Sequence, residues 1–232
     1  MASQDKSTKI ITSVNKEQIL LEEAYQSIYE NASEPLYFGP PESKRKWLRW
    51  LFNLDHEVHS DGFISINGGV SLTEKKLKRI PFNFRRVEGD FLCYINELDL
   101  LEGCPAFVKG SFVCSSNNLT SLEGSPSVVG DSFNCSHNKL TSLQGAPSSI
   151  KGSFICAFNK LTSLQGAPEK VGETFNCTAN FNLTTLDGAP KFIGGQFLSS
   201  QFSDEQYKDF IKHEKYVKGK LEKEFDIDLK DF

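Results

Sequence analysis

Hydrophobic residues return along this chain at a fixed step of 21 positions. One unit carries Phe112, Cys114, Leu119, Leu122 and Val129, with Asn117, Gly124 and Pro126 between them. The next carries Phe133, Cys135, Asn138, Leu140, Leu143, Gly145, Pro147 and Ile150. A third carries Phe154, Cys156, Asn159, Leu161, Leu164, Gly166, Pro168 and Val171. Upstream, Val87, Phe91, Cys93, Asn96, Leu98 and Leu101 keep the same register, and Leu77 and Ile80 hold the two leucine positions one unit earlier, where Phe84 replaces proline. Downstream, Phe175, Cys177 and Asn180 stay in step. One residue is then inserted, in Asn180-Phe181-Asn182, before Leu183, Leu186, Gly188, Pro190, Ile193 and Phe197 resume the pattern, and Ser199 takes the last cysteine position. A period of this size predicts a solenoid of about six coils over 77–199, with atypical ends.

Each position has a physical reason. Phe-x-Cys alternates with period two, so both side chains face one side of a short strand. Asn three residues after Cys suits a bend where its amide satisfies free backbone groups. Leu-x-x-Leu returns apolar groups to the interior, Gly-x-Pro turns the chain, and Val or Ile re-enters the core. A single coil cannot bury these groups, but stacked coils share one core. Strands of successive coils are then parallel and about 4.8 Å apart. Each buried Phe, Leu or Val contributes roughly 1.5–3 kcal/mol.

Phe-x-Cys-x-x-Asn-x-Leu-Thr-Ser-Leu resembles the leucine-rich repeat consensus, L-x-L-x-x-N-x-L-x-x-L. Leu-Thr-Ser-Leu followed by proline is similar to the short bacterial type found in secreted effectors. The Gly-x-Pro-x-x-Val-x-Gly-x-Phe-x-Cys pattern resembles repeats encoded by tailed phages and some bacteria. The resemblance covers 77–199, about half of the chain. It implies an α/β fold: a right-handed leucine-rich repeat solenoid with a parallel concave sheet, flanked by N- and C-terminal helical caps. Effectors of this kind that are ubiquitin ligases carry a large catalytic domain after the repeats. Only the short stretch 200–232 follows here, so the resemblance does not imply that activity.

The flanks suggest four regions: a helical cap over 1–60, a β-hairpin or irregular lead-in over 61–76, the solenoid over 77–199, and a capping helix with an acidic-apolar tail over 200–232. Val14, Asn15, Gln18 and Ile19 form a capping-box and staple pattern, and Ile19, Leu20, Ala24 and Ile28 continue an apolar stripe. After a Pro35–Pro41 linker, Trp47, Leu48, Trp50, Leu51, Phe52 and Leu54 predict a second helix over about 42–54, covering the end of the solenoid. Phe63–Ile66 and Val70–Leu72 around Asn67-Gly68-Gly69 predict a hairpin. Phe202, Ser203, Gln206 and Tyr207 repeat the capping box and staple before a helix with Phe210, Ile211, Val217 and Leu221 on its apolar side. Its tail, Phe225–Phe232, alternates apolar and acidic residues and either adds an edge strand or docks elsewhere.

Composition narrows the class. The 232 residues carry net charge −4 and are 38% hydrophobic, which fits one elongated domain with small helical additions. The first nine residues lack the apolar core of a signal peptide. No apolar run approaches the roughly 20 residues of a membrane span. A cytoplasmic protein without membrane contact is expected. A mild acidic balance argues against nucleic acid as partner.

Five of six cysteines, Cys93, Cys114, Cys135, Cys156 and Cys177, form a ladder, and Cys104 takes a small-residue slot between Gly and Pro. No C-x-x-C pair or matching histidines support a metal. Bridges between rungs are conceivable by distance. Packing of small buried thiols in a reducing compartment is the simpler reading.

The repeat leaves its outward strand columns free to vary. Asp90, Ser111, Ser132, Ser153, Thr174 and Gln196 precede each Phe; Leu92, Val113, Asn134, Ile155 and Asn176 stand between Phe and Cys. Tyr94, Ser115, Ser136, Ala157 and Thr178 follow Cys, and then come Ile95, Ser116, His137, Phe158 and Ala179. The face is almost uncharged, so it lacks the Lys and Arg of a phosphate-binding surface. No serine is matched to a base, so no catalytic residue, cofactor, metal or small-molecule substrate is expected. Apolar anchors in a Ser/Asn setting suit a protein partner, through Leu92, Tyr94, Val113, Ser115, Asn134, His137, Ile155, Phe158 and Asn176. Alternatively the terminal helices fold over this face, or its Ser and Thr serve as strand formers. A second contact is the basic stretch Lys75, Lys76, Lys78, Arg79, Arg85 and Arg86. The expected function is non-enzymatic: a phage-type repeat protein that binds and inhibits or redirects a host protein, for instance in defence. The alternative is an assembly protein that binds copies of itself.

Overall fold

The computed structural model describes Ile19 and residues 53–225, with side chains as far as 214. The two helices expected over 14–54 fall almost wholly outside these residues. Leu54, the last apolar position of the second, packs against the core.

Every Phe-x-Cys segment contributes a strand, and so do Val70–Ser71 before the first and Phe197–Leu198 after the last. These are β3 (Val70–Ser71), β5 (Phe91–Leu92), β7 (Phe112–Val113), β9 (Phe133–Asn134), β11 (Phe154–Ile155), β13 (Phe175–Asn176) and β15 (Phe197–Leu198). They pair in chain order as one parallel seven-stranded sheet, called here the cysteine sheet. The register follows the period, with Phe112 opposite Phe133 and Phe133 opposite Phe154. The inserted residue in the last coil is absorbed outside the strands, since Phe175 still faces Phe197.

The segments after each proline form strands as well. These are β4 (Phe84–Val87), β6 (Phe107–Val108), β8 (Val128–Val129), β10 (Ser149–Ile150), β12 (Lys170–Val171) and β14 (Phe192–Ile193). They make a second parallel set, the valine ladder, joined by β2 (Ile64–Ile66) and by β1 (His56–Val58), which pairs antiparallel with β2. This ladder is interrupted. Strands β1, β2, β4, β6 and β8 form one sheet and β10, β12 and β14 another, with no pairing between β8 and β10. The protein is thus a β-solenoid with parallel sheets and about six turns.

The hairpin expected from Asn67-Gly68-Gly69 does not form. Its two arms enter different sheets: β2 pairs with β4, and β3 with β5. Ile64, Ile66, Val70 and Leu72 are all buried in the shared core, so stacking on the next coil overrides the local turn signal. Periodic stacking therefore begins before 77, with β2 and β3.

The core is a column of rings. Phe91, Phe112, Phe133, Phe154, Phe175 and Phe197 follow one another at centroid distances of 5.1 to 6.0 Å. Beside them lie the fully buried Cys93, Cys114, Cys135, Cys156 and Cys177, none of them bridged. Burial pushes the Cys177 thiol up to about 12 and shifts Cys114, Cys135 and Cys156 upward too. The asparagine ladder closes the sheet end. Asn138 Nδ2 donates to the carbonyls of Cys114, Cys135 and Ser136 at 3.0, 3.1 and 3.2 Å, and its Oδ1 accepts from Leu119 N at 3.1 Å. Asn96, Asn117, Asn159 and Asn180 repeat this arrangement. At the Gly-x-Pro turn Gly145 has φ +95, and a Cβ there would stand 2.7 Å from the backbone of Leu122. No side chain fits so close an approach.

The helix α1 (Asp204–Phe225) opens with the expected capping box. Gln206 N donates to Ser203 Oγ at 3.1 Å, and Ser203 N to Gln206 Oε1 at 2.8 Å. Tyr207 stacks on Phe197 at 4.6 Å and donates its hydroxyl to Pro190 O at 2.7 Å. Val217 and Leu221 lie beyond the described side chains.

Candidate binding face

The outer side of the cysteine sheet bears three columns of side chains. Pairing brings Leu92, Val113, Asn134, Ile155 and Asn176 into one row, all half-buried, and Leu198 extends it. Asn134 Oδ1 accepts from Ser136 N and Oγ at 3.0 and 2.7 Å, and Asn176 does the same with Thr178 at 3.0 and 2.8 Å. Their amide oxygens are thereby used within the coil, and among the described residues the Nδ2 groups are the donors left for a partner.

In the second column Tyr94 and Ser115 are half-buried, whereas Ser136 and Ala157 are only 7% and 4% exposed. Both were expected on the open face; they belong to its floor. The serines before each Phe are structural. Ser132 N and Ser153 N donate to Ser111 Oγ and Ser132 Oγ of the preceding coil, and Ser153 Oγ donates to Glu173.

The third column holds the least expected geometry. Ile95, Ser116, His137, Phe158 and Ala179 all have φ between 52 and 55. This left-handed region is usual for glycine and tolerable for Asn or Asp, and for a β-branched residue it is an outlier. The backbone is held there because each N–H still reaches the next coil, as in His137 N to Ala157 O at 3.0 Å and Phe158 N to Thr178 O at 2.9 Å. One step later the asparagine must turn inward. The bend throws the preceding side chain outward: Ile95 is 49% and Phe158 53% exposed. The rings of His137 and Phe158 stack at 4.3 Å and 10°. Nearby in sequence, the inserted Phe181 is 80% exposed. The insertion that breaks the period was the available sign of it.

The basic stretch is not one patch. Lys75 and Lys76 lie at the strand-exit turn, where Lys75 N donates to Asn96 Oδ1 at 2.9 Å, and Lys78 follows, exposed. Arg85 and Arg86 lie on β4 of the valine ladder. Arg79 pairs with Glu102 at 3.5 Å, Arg85 with Asp61, and Arg86 with Glu88, which holds the Glu88 carboxyl below its usual range. Arg86 also covers the Phe107 ring at 3.7 Å.

A hydroxyl–imidazole contact joins the residue after β1 to β2, with His59 Nε2 2.8 Å from Ser65 Oγ. Glu57 stands 3.7 Å from the other ring nitrogen, beyond hydrogen-bond reach, and is 71% exposed. Among the described residues no group of His, Cys, Asp and Glu is placed to hold a metal, and no helix is long and apolar enough to cross a membrane. Comparison with family models, curated proteins and solved structures returned no match.

Proposed function

We propose that this chain is a non-enzymatic protein-binding module of the leucine-rich repeat kind, with helical caps at its ends, and that the outer side of its cysteine sheet is the contact surface. The observation that carries this reading is the column of residues at positive φ. Large apolar side chains, Ile95 and Phe158, are presented to solvent from a backbone conformation costly to them. Such strain gathers at functional sites. Half-buried Leu92, Tyr94, Val113 and Ile155 extend the same surface with the pattern of apolar anchors in a polar setting. The repeat's resemblance to phage-encoded proteins supports a concrete form: a phage protein in the bacterial cytoplasm that inhibits or redirects a host protein, a defence component among the candidates.

The test is capture from host lysate by the full chain and by a variant with Tyr94→Asp, Ile155→Asp and Phe158→Asp. Loss of a partner in the variant, with an unchanged circular dichroism spectrum, is the expected result. Equal capture by both would remove this face from consideration. Self-assembly is the second reading, favoured by the exposed apolar residues Phe181 and Phe192 at the C-terminal coil. Light scattering decides it, since a monomer at high concentration eliminates that reading.

A further inference from the structure

Nearly two coils contain no acidic residue. Between Asp131 and Glu169 the chain carries Lys139, Lys151, Lys160 and His137 but neither Asp nor Glu, although its 30 acidic residues average one in about eight. Lys139 and Lys160 are equivalent positions one coil apart, each two residues after the strand-exit ring of its own coil, His137 or Phe158. Their backbone contacts match: Lys139 N donates to Leu119 O and Lys160 N to Leu140 O, both at 2.8 Å. Both side chains are exposed, and no ion pair among the described residues includes either. Like charges on neighbouring rungs repel. Beside them stands the stacked His137–Phe158 pair. The sector thus combines two ammonium groups, neither ion-paired among the described residues, with an exposed ring pair, in a chain that is acidic overall.

We infer that this sector receives an acidic segment of a partner protein, in which an aromatic side chain lies next to one or two carboxylates. The inference rests on the protein-binding reading of the same face. A carboxylate between the ammonium groups relieves their repulsion and accepts charge-assisted hydrogen bonds. An aromatic side chain stacks on the His137–Phe158 pair. Two residues of chain span at most about 7 Å, so neighbouring positions of one extended segment reach both features. Size decides against nucleic acid. The positive spot is two coils wide, about 5–10 Å, and Glu97 and Asp99 separate it from Lys76 and Lys78 along the same edge. A phosphate backbone needs a longer cationic track.

The experiment is fluorescence anisotropy of the full chain with a labelled peptide of aspartates around one tryptophan, against the same peptide with asparagines. The aspartate peptide is expected to bind, more weakly as salt rises. The K139Q/K160Q variant is expected to bind it about tenfold more weakly. Lys151→Gln, on the valine-ladder side, is expected to change nothing. The inference is overturned if the two peptides bind alike, if neither binds, or if Lys151→Gln weakens binding as much as the double variant. It is equally overturned if oligothymidylate or anionic vesicles bind through Lys139 and Lys160 while the peptide does not. Lysate capture separates this from the broader reading. A partner lost by the triple Asp variant but kept by K139Q/K160Q leaves the face standing and removes only the acidic partner.

Discussion

The cysteine sheet and the valine ladder are built from the same coils, yet only one runs unbroken. The cysteine sheet pairs seven strands, and beneath the five middle ones ring, thiol and asparagine recur in every coil. The valine ladder loses its pairing between Val128–Val129 and Ser149–Ile150. Its outward row, Arg86, Phe107, Val128, Ser149, Lys170 and Phe192, mixes charge and apolar groups with no repeated role. Order in this solenoid thus follows the buried asparagine and ring columns, which serve one side only. A surface meant for recognition sits best above the rigid side, where its side chains are held in fixed register.

The comparison can be broken from inside. Phe154→Ala removes a ring stacked on both neighbours and is expected to cost about 3–5 kcal/mol in urea unfolding. Asn159→Ala strips three carbonyls and one buried N–H of their partner and is expected to cost about 2–4 kcal/mol. Amide exchange should then show the cysteine sheet opening before the strands of the valine ladder.

Alkaline titration strikes the same side. The thiol of Cys177 is raised from 9.0 to about 12 by burial, so the folded state holds its proton more tightly than the unfolded chain. Its contribution is intact below the unfolded value and is lost as pH rises toward about 12, at up to roughly 1.4 kcal/mol per pH unit. Stability measured above pH 9 should fall, and a Cys177→Ala variant should fall less steeply.

Two smaller changes sharpen the contrast. Ile95→Gly relieves the left-handed backbone and is expected to stabilise by up to about 1 kcal/mol while weakening partner capture, a separation of stability from recognition. Ser149→Val, next to Val128, favours strand pairing across the gap and is expected to add a few tenths of a kcal/mol. Greater amide protection at Lys151, whose counterparts Gly130 and Gly172 donate to Val108 O and Ile150 O, would report the joined ladder.

The cysteine sheet was legible because its periodic residues face inward and each coil repeats the same demand. Phe, Cys and Asn fall at constant spacing, and their roles follow from alternation and hydrogen-bonding capacity. The valine ladder was less so, since Val129 and Ile150 read as core positions without revealing that their backbones pair. Ser136 and Ala157 read as surface because alternation alone does not register how the bend folds over them. The positive φ of Ile95 and Phe158 had no local signal at all: neither is a residue that favours that region, and the geometry is imposed by stacked neighbours. For the same reason Asn67-Gly68-Gly69 misled toward a hairpin, a local preference overruled by the core.

The strand-exit bend has a consequence for how such a chain can change. Glu, Ile, Ser, His, Phe and Ala occupy it at Glu74, Ile95, Ser116, His137, Phe158 and Ala179, with φ confined to 52–56. The backbone there keeps the same shape whichever residue it carries. Each of the five middle coils also carries the same ring, thiol and amide, so these coils are interchangeable parts. Excision of residues 133–153 would join Ser132 to Phe154 in register and slide every later outward side chain one rung toward the start. Unequal recombination between coils could therefore redraw the recognition surface in a single event and leave the frame that supports it unaltered.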